Sequence, residues 1–220
     1  MKKTALGVLA LAGTLVVQLA GAGPSTAAER PATAKRPVTT KTMTRGEGIT
    51  AEFDRTDGCI QTTVSMFGSV FTVRGSTTPD KLGVVSVTQV NTCTLTTLIN
   101  GSGEASTLNL AVPNGLSGGR LRMSIEFTNF ADPENPVTSP MTADVSFRAT
   151  ARATSTSEKS KSFSEGVRFV SSTGTKSRPV SATGTITLGT QNVVSPDISS
   201  ISATVGSVVT KEKTVARPVK

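Results

Sequence analysis

Histidine, tryptophan and tyrosine are all missing from this chain of 220 residues. Without imidazole there is no Ser-His-Asp or Cys-His catalysis and no histidine-ligated zinc or copper, and the commonest general base is gone. Cysteine is nearly absent as well, with only Cys59 and Cys93. Aromatic residues are 4% of the chain, all of them Phe, so there are no Trp or Tyr faces for sugar rings or nucleobases. Neither a Gly-x-x-x-x-Gly-Lys-Ser/Thr phosphate loop nor a dinucleotide fingerprint occurs. No cofactor is expected.

Carboxylates are the catalytic groups that remain, since glycosidases need only two acids at a suitable separation. Most of the acids here fall in turns or on the wet phase of strands, where they solubilise rather than react. Asp54 with Asp57, and Asp132 with Glu134 and Asn135, are the candidates for calcium, but neither set follows a defined calcium loop, and acidic turn residues explain both. The reading is of a protein that is not an enzyme.

What is present begins with an export signal. Lys2 and Lys3 precede an almost wholly apolar stretch from Ala5 to Ala20, and small residues follow at Ala20-Gly21-Ala22 and Thr26-Ala27-Ala28. That run is shorter than the roughly 20 residues of a spanning helix, so residues 1–28 read as a cleaved signal peptide. No transmembrane segment is expected in the mature protein, which is placed outside the cytoplasm, secreted or at the cell surface. In an oxidising compartment an even pair of cysteines reads as a disulfide, here Cys59 with Cys93.

The formal charge is +8. Removing Lys2 and Lys3 leaves +6, of which residues 23–45 hold +4 and residues 211–220 hold +3, so residues 46–210 come to −1 by difference. Residues 29–45, with Pro31 and Pro37 among Thr, Ala, Lys and Arg, read as a basic disordered linker, and residues 211–220 as a basic tail. Because the excess sits in two tails and not on a folded face with aromatics, no nucleic acid is expected as a partner. Anionic cell-surface polymers, met by the basic tails, fit better.

Thr, Ser, Val and Gly dominate residues 46–210, a composition that favours strands and turns. Ile60, Thr62, Val64 and Met66 share one strand phase, while Phe71 and Val73 fall in the other, so Gly68 reads as a bulge. Asn100-Gly101 reads as a type I′ hairpin turn. The clearest alternation is Leu121, Met123, Ile125 and Phe127, followed after Asp132-Pro-Glu-Asn-Pro136 by Met141, Ala143, Val145, Phe147, Ala149 and Ala151; these two runs predict a hairpin with one wet face. Residues 154–166, rich in Ser and Thr, predict a long hairpin tip. Val180, Ala182, Gly184, Ile186 and Leu188 alternate again, and Ile201, Ala203 and Val205 begin the last strand. The fold class is therefore all-β: a single antiparallel β-sandwich or barrel-like domain of about nine or ten strands. A transmembrane barrel would need aromatic girdles, which this composition does not supply.

Gly58-Cys59-Ile60, Val90-Asn-Thr-Cys93, Arg148-Ala-Thr-Ala151 and Ala182-Thr-Gly184 give the chain a pattern that resembles a loose group of uncharacterised exported all-β bacterial proteins. The resemblance spans roughly Ile49 to Val209; it implies an exported all-β domain, implies no activity and carries over no site residue. Taken together, the sequence reads as a secreted, non-catalytic structural or binding module at the cell exterior. The alternatives are a carboxylate-dependent secreted hydrolase and a membrane-active β-hairpin toxin built on the Ser/Thr-rich stretch.

Overall fold

The computed structural model describes residues 38–164 and 167–216. The expected signal peptide, residues 29–37 of the expected linker and residues 217–220 of the expected tail lie outside the described residues. Ten antiparallel strands follow one another in the chain: β1 (Val38–Asp57), β2 (Ile60–Val73), β3 (Asp80–Asn91), β4 (Thr96–Ala111), β5 (Gly118–Asn129), β6 (Val137–Ala149), β7 (Thr154–Ser164), β8 (Val167–Leu188), β9 (Gln191–Val194) and β10 (Ser202–Ala216). Among the described residues there is no helix.

Of the two expected architectures, sandwich or barrel, the chain adopts the barrel. Each of β1 to β5 pairs with its successor, β6 pairs with β8, β8 with β10 and β10 with β1, so the sheet closes on itself. The closure depends on the length of β8. Its second half, residues 180–188, meets β6, and its first half, residues 167–179, meets β10.

Period-two patterning sets which side chains turn inward. Leu121, Met123, Ile125 and Phe127 of β5 are buried, as are Met141, Ala143, Val145 and Phe147 of β6, and their alternating partners point to solvent. Ile49, Phe53, Val64, Val85, Val87, Ile186 and Val205 are among the residues that join them in the core. Apolar inside and charged outside is the inverse of a lipid-facing barrel. The interior is filled, not hollow. Gly68 and Gly83 stand opposite each other on β2 and β3, and Leu121 and Met123 reach across to the flat spot they leave, where an added Cβ would lie within 2.8 Å of both Leu121 Cδ atoms at Gly68 and 2.6 Å from Met123 Sδ at Gly83.

Cys59 and Cys93 form a disulfide, with their Cα atoms 5.4 Å apart. It ties the β1–β2 turn to the β3–β4 turn, where Thr92 N and Oγ1 both donate to the Cys59 carbonyl.

Three local expectations are corrected. Asn100-Gly101 is not a turn but lies inside β4, because a Cβ at Gly101 would collide with the Thr128 carbonyl on β5; the glycine permits close strand approach. The chain instead turns at residues 92–95, where Leu95 takes a positive φ. Gly68 is not a bulge, since the β1–β2 and β2–β3 registers run through it unbroken; the ladder shifts at Gln89/Val90, Ala105/Thr107 and Ile186/Thr187 instead. The expected linker and basic tail are also partly strand. β1 begins at Val38 and β10 continues to Ala216, and these two stretches pair with each other from Val38↔Ala216 onward.

That last pairing carries the sheet beyond the barrel. β2 ends opposite Thr44 and β6 ends opposite Val180, yet β1, β10 and β8 carry on past the barrel rim. β7 pairs along the outer side of β8. The result is a four-stranded extension, β1–β10–β8–β7, on the order of 30 Å long by strand rise. No residue of β7 is buried, and no residue of β1, β8 or β10 beyond the barrel rim is buried either.

Candidate functional site

The registers of the extension run without a shift, so directly paired residues share a face across all four strands. Side-chain contacts fix which face is which. Thr154 with Ser177, Thr156 with Thr175, and Thr173 with Thr210 are hydroxyl–hydroxyl hydrogen bonds on one face. The row Arg178–Val205–Ile49 lies on the other, where Val205 and Ile49 belong to the barrel core.

The two faces differ completely in charge. On the face continuous with the barrel interior, β7 presents Lys159 and Lys161, and β8 presents Arg168, Lys176 and Arg178. β10 adds Lys211 and Lys213, β1 adds Lys41 and Arg45, and Arg74 joins them just past the end of β2. Among the described residues the one acid on this face is Glu47. The opposite face carries Thr40, Thr42, Thr44, Thr173, Thr210 and Thr214 among other hydroxyls, together with Glu158 and Glu212, and no cation among the described residues.

Among the described residues no ion pair neutralises the basic face. The ion pairs formed among the described residues are Arg55–Asp57 and the Asp144 pairs with Arg120 and Arg122, none of them on the extension. Arg178 is the inward member of the set. Its Nε donates to the Ala151 carbonyl at 2.7 Å and its Nη1 to the Gly115 carbonyl at 3.2 Å, which pins it across the barrel rim. Where the extension leaves the barrel, Met43, Arg45, Thr72 and Arg74 line a cleft of about 360 Å³. The Arg74 backbone N–H donates to the Met43 carbonyl at 2.8 Å and holds the β2 end against β1.

A second cleft, of about 320 Å³, lies on the outer wall of the barrel over β10, β1, β2 and β3, with Thr50, Glu52, Ser65, Phe67 and Thr204 in its lining. Glu52 is the one acid in it, and it accepts a hydrogen bond from Ser202 Oγ at 3.4 Å. Glu104 and Glu126 face one another across β4 and β5, both exposed, and neither lines either cleft.

The turn acids are held as turn residues. Asp132 Oδ1 accepts from the Glu134 N–H, and its Oδ2 from Asn135 Nδ2; Asp57 pairs with Arg55, and Asp54 accepts from Thr63 Oγ1. Asp144 is the most strongly engaged acid. The hydrogen bonds from Arg120 Nε and Nη2, both 2.6 Å, hold its carboxyl below the usual carboxylate range, and Arg122 adds to the effect. Asp197 is lowered too, first by the Ser195 hydroxyl.

Four of the ten cations, Lys41, Arg45, Lys211 and Lys213, belong to the stretches expected as basic tails, an arrangement that counts against nucleic acid, while the other six fall within residues 46–210, whose net charge is −1. The structure puts Lys41, Arg45, Lys211 and Lys213 in paired strands. A signal for this was present: Lys159 with Lys161, and Lys211 with Lys213, repeat at period two, as residues on one face of a strand must. Compared with protein-family models, curated proteins and solved structures, the chain shows no match.

Proposed function

We propose that the protein is a secreted, non-catalytic binding module that holds an anionic polymer of the cell exterior on the basic face of its β1–β10–β8–β7 extension. One observation carries this reading: among the described residues ten cations stand on one face against Glu47 alone, while the other face has none. Ordinary solubilising charge would be spread over both faces with both signs mixed. Sorting of this kind concentrates a positive potential, raises local polyanion concentration and favours binding through counterion release.

The alternatives gain less support. Membrane insertion of a β-hairpin needs one apolar face, and β7 presents Ser and Lys on one face and Ser, Thr and Glu on the other, apart from Phe163. Carboxylate hydrolysis needs two acids converging on a substrate, and the cleft that holds Glu52 holds no second acid. A nucleic-acid reading meets the shortage of stacking surface, since Phe163 is the aromatic residue on the basic face.

The test is retention on the surface of the cell that exports it. Washed cells should hold the wild-type chain at low salt and release it as salt rises. A variant with Lys159, Lys161, Lys211 and Lys213 each changed to Ser should appear mostly in the medium. Equal retention of the two proteins would overturn the proposal.

A further inference from the structure

The spacing of the cations, together with the chemistry missing around them, goes beyond "anionic" to a class of polymer. This inference rests on the reading just given. Successive residues on one face of a strand lie about 6.7 Å apart. On the β10–β1 pair, three successive rows supply cations at that interval. The first row holds Lys213 beside Lys41, the next Lys211 with Arg74 beyond Met43, and the third Arg45. Lys159 and Lys161 repeat the interval on β7.

A backbone of three bonds per residue spans 3.3–3.6 Å, so a chain with six single bonds between charges repeats at about 7 Å when extended. Phosphates joined through a three-carbon polyol have that many bonds between phosphorus atoms. Polymers whose charge sits on sugar rings, or whose phosphates carry bases, would instead want aromatic platforms, and this face offers Phe163 alone. Between the cations it offers hydroxyls, from Ser172 in the Lys159–Lys211 row and from Thr72 beside Arg45. Those are suited to the free hydroxyls of an acyclic linker.

We infer that the basic face binds a linear polyol-phosphate chain laid along the β10–β1 pair, with one phosphate seated between the guanidinium groups of Arg45 and Arg74. Guanidinium is the group that grips a phosphate through two parallel N–H donors, and here two of them line one cleft with the Thr72 hydroxyl. The lysines then act as point charges for the phosphates that follow.

Titration calorimetry of the purified chain at fixed low salt would use three probes matched in charge number: poly(glycerol phosphate), polygalacturonate and a single-stranded oligodeoxynucleotide. The expected result is that poly(glycerol phosphate) binds about tenfold tighter than either rival. The paired variant Arg45→Lys with Arg74→Lys should lose most of that preference while keeping its charge and its general polyanion affinity. Arg122→Ser, on the outer wall, should change neither. Equal affinity for the three polymers would overturn the polyol-phosphate assignment and leave the basic-face reading standing. A preference for the oligodeoxynucleotide would overturn it in favour of nucleic acid. If none of the probes binds, both readings fall.

Discussion

Lys41 on β1 and Lys213 on β10 are direct cross-strand partners, on the same face and with no acid between them. Like charges placed directly opposite destabilise a sheet, whereas opposite charges contribute about 0.2–1 kcal/mol. The extension has no buried face to offset the repulsion. The proposed anionic polymer would relieve that repulsion. Lys213→Glu should therefore stabilise the free extension and weaken polyanion binding together. Amide exchange of residues 38–43 in the unliganded variant should slow, and its affinity for poly(glycerol phosphate) should fall severalfold. A substitution that weakens both would show that Lys213 contributes packing and not charge.

Gly68 and Leu121 describe the opposite regime, a site where volume decides. The two lie across the barrel from each other, Leu121 is fully buried, and a Cβ at Gly68 would sit 2.8 Å from both of its Cδ atoms. Gly68→Ala should therefore cost about 1–3 kcal/mol by overpacking, even though alanine is the better strand former. Urea denaturation would register it as a lower midpoint at unchanged slope. Gly174, where an added Cβ meets nothing within 4 Å, is the control that should tolerate the same change.

The barrel and the extension differ in how far they could be read from sequence, for a physical reason. Burial sorts residues by polarity, so Leu121, Met123, Ile125 and Phe127 announce both their strand and its inner face. Val180, Ala182 and Ile186 do the same for the second half of β8. On the extension both faces are wet. Apolar periodicity vanishes there, and Thr, Ser and Lys resemble a linker. Only charge still alternates, as at Lys211 and Lys213, and two or three residues of alternation are easily taken for a tail. Asn100-Gly101 misleads for a different reason. Glycine serves turns and close strand approach alike, and nothing local tells the two apart. The Arg45–Arg74 cleft was out of reach altogether, because it depends on where β2 stops relative to β1.

The disulfide closes two turns at the rim where β1 passes to β2 and β3 to β4, over a sequence separation of 34. A loop of that length stabilises by about 3–4 kcal/mol in the chain-entropy model. Replacing both Cys59 and Cys93 with Ser should lower stability to urea by about that amount. It should leave poly(glycerol phosphate) affinity unchanged under conditions where the variant is folded, because neither cysteine belongs to the extension. A loss of affinity in the folded variant would tie the staple to the binding face.

Asp144 gives the acid side of the stability profile. Its carboxyl lies below the usual value of about 3.9 because Arg120 donates twice to it, with Arg122 assisting. A depressed folded-state value means that the unfolded chain binds the proton more readily. The contribution is then fully present above the unfolded value and is lost as pH falls through the folded one. Its size is modest, since the Asp144 side chain is 42% exposed and solvent screens the pair. Arg120→Gln should raise the pH at which Asp144 titrates and move the acid unfolding midpoint upward. Both can be followed by NMR titration of the Asp144 side chain beside a fluorescence-independent melt such as far-ultraviolet circular dichroism, which a chain without Trp or Tyr requires.

The extension should also report its ligand through its own motions. Elements with few buried contacts and exposed backbone hydrogen bonds open locally at low cost, and β7, wholly exposed and paired on one side to β8, is such an element. A ligand that binds only the closed sheet stabilises it by RT ln(1 + [L]/Kd), about 2.7 kcal/mol at a hundredfold excess over Kd, which slows exchange roughly a hundredfold. Amides of residues 154–164 and of residues 38–43 and 208–216 should thus gain protection when poly(glycerol phosphate) is added. Those of residues 121–127 and 141–147, already held by the barrel core, should not change. Because the effect is electrostatic in origin, the gained protection should fade as salt is raised at constant ligand. Protection appearing on the outer wall over Phe67 and Thr204 instead would move the binding surface off the basic face and onto the cleft there.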